Sequence, residues 1–512
     1  MSAQFAKESI TLITPPSVFL LDERVFMSLG ILKVAAMLEK EGYTIEFLDL
    51  SGIANYEEVI QIHMQNTKST TFGITATTPQ LPQAVKVAQA IRNANPKAKI
   101  ILGGPHITLV TAAYKREQKK ELQNGRAHKA FQQLQNEFDI LVAGDGEFSV
   151  FEALKKNAPN LIDADDPKSK MFLTNSDLDE QPFPSRHLVD ASSYHYTIDE
   201  FPAMSLIAQL GCPFACGFCG GRYSPFLRRT RQRSSESVVS EIHHLYKTYG
   251  VRGFMLYDDE LNVNPKMVEL MNQITELQKK EKTEFRLRGF VKAQLFTEEQ
   301  AASMVKAGFR WLLCGYESGS PRILRNINKR ATQDENTRCV EIAKKYGLKV
   351  KALMSLGHPG ESEETVQETL QWLVDVKPDD FDMTIITTYP GTPYYDDAIL
   401  HDEAKNVWAY EFKGDRLYSY EVDYSGTAKY YKGDPNGGYQ SFVYTDHLSA
   451  TDIVKWRDHL EKSVRKQLNI PYPPASKARR YEHSMGQMGG QLPQNILRVV
   501  SAPQIRKQNI PL

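Results

Sequence analysis

The chain has 512 residues, 41% hydrophobic and 24% charged, with 62 Lys and Arg against 62 Asp and Glu. That length allows several domains and a large core, and the balanced charge gives no ground for a nucleic-acid or membrane-surface partner. No apolar run nears the roughly 18 residues of a spanning helix, the N-terminus lacks a signal-peptide pattern, and five cysteines are too few for a secreted disulfide framework; no membrane and a cytoplasmic location are expected.

Residues 1–156 alternate strand and helix patterns, as a parallel α/β sheet does. Strands are predicted at Ser9–Thr14, Tyr43–Leu50, Thr71–Thr78, Ala98–His106 and Phe138–Glu147, with a helix over "LGILKVAAMLEKEG" that closes on Gly42. The expected fold is flavodoxin-like (Rossmann-type), with ligands at the carboxyl ends of the strands. Those ends read "TPP", "TATT", "GGPH" and "GDGE", suited either to close ligand approach or to ordinary tight turns. Residues 112–137 read as a solvated helical insertion without chemistry.

Residues 157–200 are polar and proline-punctuated and are expected to form a linker. Over 201–395, six apolar runs alternate with helical patterns: "AMSLIAQLGC", "GFMLYDDE", "EFRLRGF", "RWLLCGYES", "KVKALMSLGHPGE" and "FDMTIITTYPGT". Six units fall short of a closed barrel, so a partial (βα)6 barrel is predicted, with its site at the strand ends. Residues 396–512 are expected as a mostly helical C-terminal extension: a tyrosine-rich stretch, an amphipathic helix over "SATDIVKWRDHLEKSVRKQL", and a Pro/Gly/Gln-rich, poorly ordered tail.

Cys212, Cys216 and Cys219 fall in "GCPFACGFCGG", just after the first barrel strand. Thiolates favour iron–sulfur clusters, zinc or copper(I). A structural zinc site takes four protein ligands, and no fourth Cys or His stands at finger spacing; His243 and His244 lie far downstream. A cubane cluster on three cysteines keeps one iron open for a substrate or cofactor. Cys314 and Cys339 are expected to be buried packing. The C-terminal tyrosines could line a pocket over the barrel mouth or simply pack.

The CxxxCxxC spacing resembles the radical S-adenosylmethionine (SAM) superfamily, with Phe218 in the aromatic position usual before the third cysteine. "YDDELNVNP", "GYESGSPRILRNINK", "LGHPGESEETV" and "YPGTPYYD" follow in that family's order and at its distances. "LGILKVAAMLEKEGY", "ILGGPHITL" and "VAGDGEFSVFEAL" are similar to the cobalamin-binding domain fused to one branch of it. The two resemblances cover about residues 1–150 and 200–395, and the C-terminal "FVYTDHLSATDIVKWRDHLE" is similar to tails of that branch.

The resemblance implies that Cys212, Cys216 and Cys219 hold a 4Fe-4S cluster whose open iron is chelated by SAM. An electron, from a donor such as flavodoxin or ferredoxin, would then release a 5′-deoxyadenosyl radical. SAM contacts are implied for Phe218, Asp258, Asp259, Glu317, Ser318, Gly357 and Pro359. The family more often has Gly-Gly-Glu where Asp258 and Asp259 stand, and Glu317 also suits a strand-end salt bridge. Cobalamin would meet Thr14, Pro15, Thr75, Thr77, Gly103, Gly104, His106, Gly144 and Glu147. The loop "TPPSVFLLDERVFMSLG" lacks the histidine that methionine-synthase-like domains give to cobalt, and His106 reads better as a hydrogen-bonded loop residue than as a ligand. The basic run Arg228–Arg233 could hold an anionic substrate or the cobalamin phosphate, or be a solvated loop.

The implied function is a cobalamin-dependent methyltransferase acting on an unactivated carbon of a small-molecule or peptide substrate. One alternative keeps both cofactors for a radical rearrangement or oxidative cyclisation. Another, of a different class, is a non-catalytic cobalamin or cluster sensor.

Overall fold

Two parallel sheets carry the chain, and the carboxyl ends of their strands meet at one cavity. The computed structural model describes residues 8–20, 22–122, 125–433, 438–471 and 498–501. Most of the Pro/Gly/Gln-rich tail lies outside the described residues.

Strands β1 (Ser9–Thr14), β2 (Thr44–Asp49), β3 (Thr71–Thr75), β4 (Lys99–Gly103), β5 (Ile140–Gly144) and β6 (Leu161–Ala164) pair in the order β2-β1-β3-β4-β5-β6, all parallel. From Ile10 onward β1 is buried at every position, as helices on both faces of a parallel sheet require. The crossover helices are α1 (Leu29–Lys40), α2 (Tyr56–Asn66), α3 (Leu81–Ala94), α4 (Pro105–Lys119), α5 (Arg126–Glu137) and α6 (Gly146–Ala153). Gly42, at φ +82°, makes the left-handed turn after α1. The strand order reverses between β1 and β3, which is where doubly wound sheets open a ligand crevice.

Two features differ from expectation. The sixth strand, β6, falls inside the stretch read as linker; four residues, "LIDA", give too short a pattern to stand out. The insertion at 112–137 is helical but docked. Arg126 is buried between the rings of Tyr395 and Trp408, at 3.8 and 4.4 Å, and pairs with Glu421 at 2.7 Å. Arg116 lies 3.6 Å over the Tyr223 ring and pairs with Asp397.

The second sheet begins with β7 (Thr197–Ile198), antiparallel to β8 (Phe201–Leu206). A small ladder of β9 (Gln209–Leu210) and β10 (Arg231–Gln232) closes the base of the cysteine loop. Then come β11 (Gly253–Leu256), β12 (Arg286–Phe290), β13 (Phe309–Glu317), β14 (Lys349–Leu356) and β15 (Asp380–Ile385). The order β15-β14-β13-β12-β11-β8-β7 contains six parallel strands, the partial barrel expected. Its helices are locally encoded: Thr297, Thr332 and Ser362 open three of them with capping boxes, and Gly250 and Gly308 close two at positive φ.

An open barrel leaves an edge strand with unpaired backbone groups. The C-terminal helix Ala450–Leu468 covers that edge with polar side chains. Glu461 accepts from the Met383 N–H at 2.9 Å, Arg457 donates to the Met383 carbonyl at 3.0 Å, and Arg465 donates to the Phe381 carbonyl at 2.6 Å. The extension is less helical than expected. Its described part also holds an antiparallel sheet of β16 (Ile399–Asp402), β17 (Val407–Phe412), β18 (Asp415–Tyr420) and β19 (Val443–Thr445). Lys413 and Gly414, both at positive φ, form the two-residue hairpin between β17 and β18.

Candidate active site between the two sheets

The cysteine loop is fixed by its backbone. The Cys212 N–H donates to the Leu227 carbonyl at 3.0 Å, Gly217 to Ile327 at 2.8 Å, and Gly221 to Gly391 at 2.9 Å. The Asn328 amide donates to the Ala215 carbonyl at 3.0 Å. Gly211 sits at φ +81°, where a Cβ would lie 2.4 Å from the Arg229 carbonyl oxygen. The ladder of β9 and β10 can therefore close only with glycine there.

All three thiols are free. Burial within the protein pushes the Cys212 thiol up to about 11 and raises Cys216 and Cys219. Cys219 nonetheless exposes surface, so it faces an open space inside the protein. Lys292 and Lys329, both buried, act on Cys216 and favour its thiolate. Among the described residues no three His, Cys, Asp or Glu side chains converge on a single ion position. A cubane does not ask for that, because each thiolate takes a different iron. Three soft donors without a fourth, flanked by two ammonium groups, fit a 4Fe-4S cluster.

Asp258 is buried and bonded to backbone. Its Oδ1 accepts from the backbone N–H groups of Ala208 (2.7 Å) and Gln209 (2.6 Å), just ahead of the loop, while its Oδ2 is buried without a partner among the described residues. Asp259, exposed, and Glu260, half-buried, lie beside the cysteines. Burial pushes Glu260 up to about 7 against the pull of Lys329 and Lys292.

Glu317, at the end of β13 with φ +67°, holds Lys329 at 2.8 Å and accepts from the Ser355 hydroxyl at 2.8 Å. Burial opposes both charges of the pair, yet Lys329 keeps Glu317 below the usual range and Glu317 keeps Lys329 above it. Ser355 Oγ also meets His358 Nε2 at 2.8 Å, and His358 Nδ1 meets the Tyr394 hydroxyl at 3.3 Å. Because Ser355 donates to Glu317, its oxygen accepts from His358, so the proton sits on Nε2 and Tyr394 donates to Nδ1. Burial lowers His358 to about 4, consistent with a neutral ring. This relay was not visible in the sequence, although Lys329 stands in the quoted "NINK" stretch.

Phe218 places its ring edge-on to His358, with centroids 5.4 Å apart. Ser318 bonds Ser320 (3.0 Å) within its turn and Thr369 (2.9 Å) of the helix Glu363–Val376, and is buried there. Gly357 needs its φ of +92°, and the Pro359 carbonyl accepts from Asn326 at 2.8 Å. The mouth thus offers Asp259 and Glu260 as acceptors that could meet the ammonium of SAM, and Lys292 that could meet its carboxylate.

A cavity of about 720 Å³ joins the two sheets. Thr14, Thr75, Thr77, Gly103, Gly104, Gly144 and Glu147 line it from the first sheet, Tyr257 and Tyr389 from the second, and Gln209 and Leu210 from the ladder of β9 and β10. It extends beneath the first sheet between Ile10, Leu12, Val34, Ile101, Val142 and Val150, and Tyr430 and Tyr431 close it from the C-terminal extension. A volume at the upper end of cofactor sites, with apolar depth and a polar rim, fits a large amphiphile such as cobalamin.

Two residues expected there are absent from the lining. The Pro15 carbonyl accepts from Gln80 at 3.4 Å. His106 is buried with Nδ1 3.1 Å from Thr78 Oγ1, and burial lowers it to about 3. No histidine lines the cavity among the described residues, so the first domain offers cobalt no imidazole. Two of the glycines serve their own chain: a Cβ on Gly104 would lie 2.6 Å from Thr75 Oγ1, and one on Gly144 2.6 Å from the Ala164 backbone, whereas one on Gly103 would meet nothing within 4 Å. Two arginines of the basic run are held in ion pairs, while Arg229 is exposed. Arg231 pairs with Asp145 at 2.5 Å and Arg233 with Glu241 at 2.5 Å.

Residues 206–373 match the model of the Radical SAM superfamily, and residues 23–147 match the B12 binding domain. The chain is a member of the radical SAM superfamily with a B12-binding domain ahead of the radical SAM domain. It is therefore an enzyme whose cofactors are a 4Fe-4S cluster, SAM and cobalamin. It is 28% identical to an uncharacterised methyltransferase of Pyrococcus horikoshii, over 73% of this chain and 79% of that protein. It is 25% identical to the anaerobic magnesium-protoporphyrin IX monomethyl ester cyclase of Rubrivivax gelatinosus, over 70% of this chain and 63% of that protein. The radical SAM methyltransferase TsrM from Kitasatospora setae, solved with cobalamin and a [4Fe-4S] cluster, shares the fold: TM-score 0.62, 17% identity, 93% of this chain and 92% of that one. The cobalamin-dependent radical enzyme OxsB also shares it, at TM-score 0.54 and 15% identity, over 76% of this chain and 55% of that one. No helix among the described residues is long and apolar enough to cross a membrane.

Proposed function

We propose that this enzyme transfers a methyl group to an unactivated carbon of a small molecule or peptide. The observation that carries the reading is the single cavity lined by strand ends of both sheets, next to the cysteine loop. A substrate there can meet a radical source on one side and a methyl carrier on the other. When bound, the cluster with SAM supplies a carbon radical that abstracts hydrogen, and cobalamin supplies the methyl group.

The chain's own residues position and shield. Cys212, Cys216 and Cys219 hold the cluster; Asp259, Glu260 and Lys292 meet the methionine end of SAM; Phe218 and the backbone at Gly357 border it. Glu317 fixes Lys329 and, through Ser355 and His358, Tyr394. We assign Thr14, Thr75, Thr77 and the turns at Gly103–Gly104 and Gly144 to the corrin rim. The aromatic rings of Tyr257, Tyr389, Tyr430 and Tyr431 exclude water from the space between. We divide these roles between a cobalamin unit up to β6, a radical SAM unit of β8 to β15, and an extension that closes both. A reduced cytoplasm with a one-electron donor such as flavodoxin or ferredoxin suits free, cluster-binding thiols.

Product analysis after anaerobic reconstitution with SAM and reductant tests the reading. Methyl transfer yields S-adenosylhomocysteine together with 5′-deoxyadenosine. 5′-Deoxyadenosine alone would replace it with a rearrangement or cyclisation, a chemistry the magnesium-protoporphyrin relative's name keeps in view.

A further inference from the structure

One end of the cavity is charged, and its ion pairs do not close. Lys33, in the second turn of α1, reaches it beside Asp145, Glu147, Arg233 and Glu241. Glu241 is held by two guanidiniums, Arg186 at 2.8 Å and Arg233 at 2.5 Å. Asp145 is held by Arg231 at 2.5 Å and by the Leu173 N–H at 2.9 Å. Glu147 stands in the first turn of α6, where the helix N-terminus offsets its charge. Among the described residues Lys33 has only the neutral Gln181 side-chain oxygen, at 3.0 Å, and no carboxylate within salt-bridge distance. Burial depresses its pKa, as for an ammonium that has lost water without gaining an anion. Four cations at this end face three carboxylates, so one positive charge is left over.

We infer that Lys33 receives an anionic phosphodiester: that of the cobalamin nucleotide loop. The inference rests on the cobalamin-binding role proposed above. Arg231 and Arg233 of the basic run, although closer in sequence to the cysteine loop, are already held by Asp145 and Glu241. Lys33 lines the same cavity as the strand-end loops, beside the apolar Ile31 and Val34 of α1. A tail leaving a corrin at the strand ends for that apolar wall would find in Lys33 a cation that no carboxylate of the described residues holds. The contact is a charge-assisted hydrogen bond in a low-dielectric wall, the strong kind.

The test compares two corrinoids by equilibrium dialysis with the purified full-length protein, without turnover. Cobalamin carries the phosphodiester, ribose and base; cobinamide keeps the corrin and its amides but lacks all three. Lys33→Gln should bind cobalamin about ten- to a hundredfold more weakly than wild type and cobinamide equally well. Lys33→Arg, which keeps the charge, should retain most of the cobalamin affinity. Matched thermal midpoints without corrinoid establish that the variants fold. Equal loss for both corrinoids, or no loss for either, overturns the assignment, as does an arginine variant no better than the glutamine one. A wild-type protein that binds neither corrinoid would instead refute the cobalamin reading itself, and Lys33 with it.

Discussion

Asp258 separates two readings of one carboxylate. The family resemblance implies a contact with SAM; in the structure its Oδ1 accepts from two backbone N–H groups, at 2.7 and 2.6 Å, and its Oδ2 is buried without a partner among the described residues. Both donors, on Ala208 and Gln209, are 1% exposed and cannot turn to water. In Asp258→Ala each loses its acceptor at about 2 kcal/mol, while removing the orphaned oxygen returns about 2 kcal/mol, leaving a net cost of about 2 kcal/mol. For a unit the size of the barrel that lowers the thermal midpoint by roughly 4–8 °C. The strain falls on the segment leading directly into Cys212, so iron content after anaerobic reconstitution should fall as well. Asp258→Asn is the discriminating variant. Its amide oxygen can accept both N–H groups, and it removes a carboxyl that burial already pushes up to about 7. It should keep wild-type iron content, a stability within about 1 kcal/mol of wild type, and unchanged SAM affinity by isothermal titration. A tenfold loss of SAM affinity in the asparagine variant, with iron intact, would show the charge acting on SAM and refute the positioning argument. Wild-type iron and midpoint in the alanine variant would refute the loop's dependence on this residue.

Glu317→Gln strands the Lys329 ammonium in a buried site and should cost about 3–5 kcal/mol; the double variant Glu317→Gln/Lys329→Met should recover much of it in calorimetry, and a double variant no better than the single would dissolve the pair's importance. His106 supplies a pH signature. Its folded pKa of about 3 lies below the unfolded 6.5, so stability is fully present above pH 6.5 and is lost as pH falls toward 3, by about 1.4 kcal/mol per unit. His106→Gln should flatten that part of the profile, and an unchanged slope would mean the ring titrates freely.

The parallel sheets were legible because parallel strands are buried on both faces and read as apolar runs between helical repeats. The cysteine loop was legible because its ligands are local in sequence. What the sequence hid is what forms across distance. Strand β6 is four residues long and gains its identity only by pairing with β5. Lys292 carries no local pattern; it becomes a site residue because Asn262 ties its backbone at both ends, 30 positions away. The tyrosine-rich stretch after residue 396 read as neither strand nor helix. Its sheet is stabilised by cross-strand rings such as Tyr418 on Tyr444, with centroids 4.8 Å apart, a pairing no single segment displays.

Either sheet alone would put a ligand crevice at its own carboxyl edge; one reaction on two cofactors needs both edges turned to one space. Buried directional contacts set that orientation. Asp145, the residue after β5, takes Arg231 of β10, and Asp165, the residue after β6, accepts from the Ser224 hydroxyl (2.8 Å) and the Phe226 N–H (2.6 Å) just past the cysteine loop. The approach is also close. A Cβ on Gly220 would lie 3.2 Å from Leu109 of α4, and one on Gly391, at φ +86°, only 2.8 Å away. An apolar interface of the same area could match the stability of these pairs, since desolvating ions offsets much of their attraction. It could also slide by a rotamer. Carboxylates that each accept from two fixed donors cannot, so the cysteine loop and the first sheet's strand ends keep one separation, and a methyl group and a radical site can be held at one working distance.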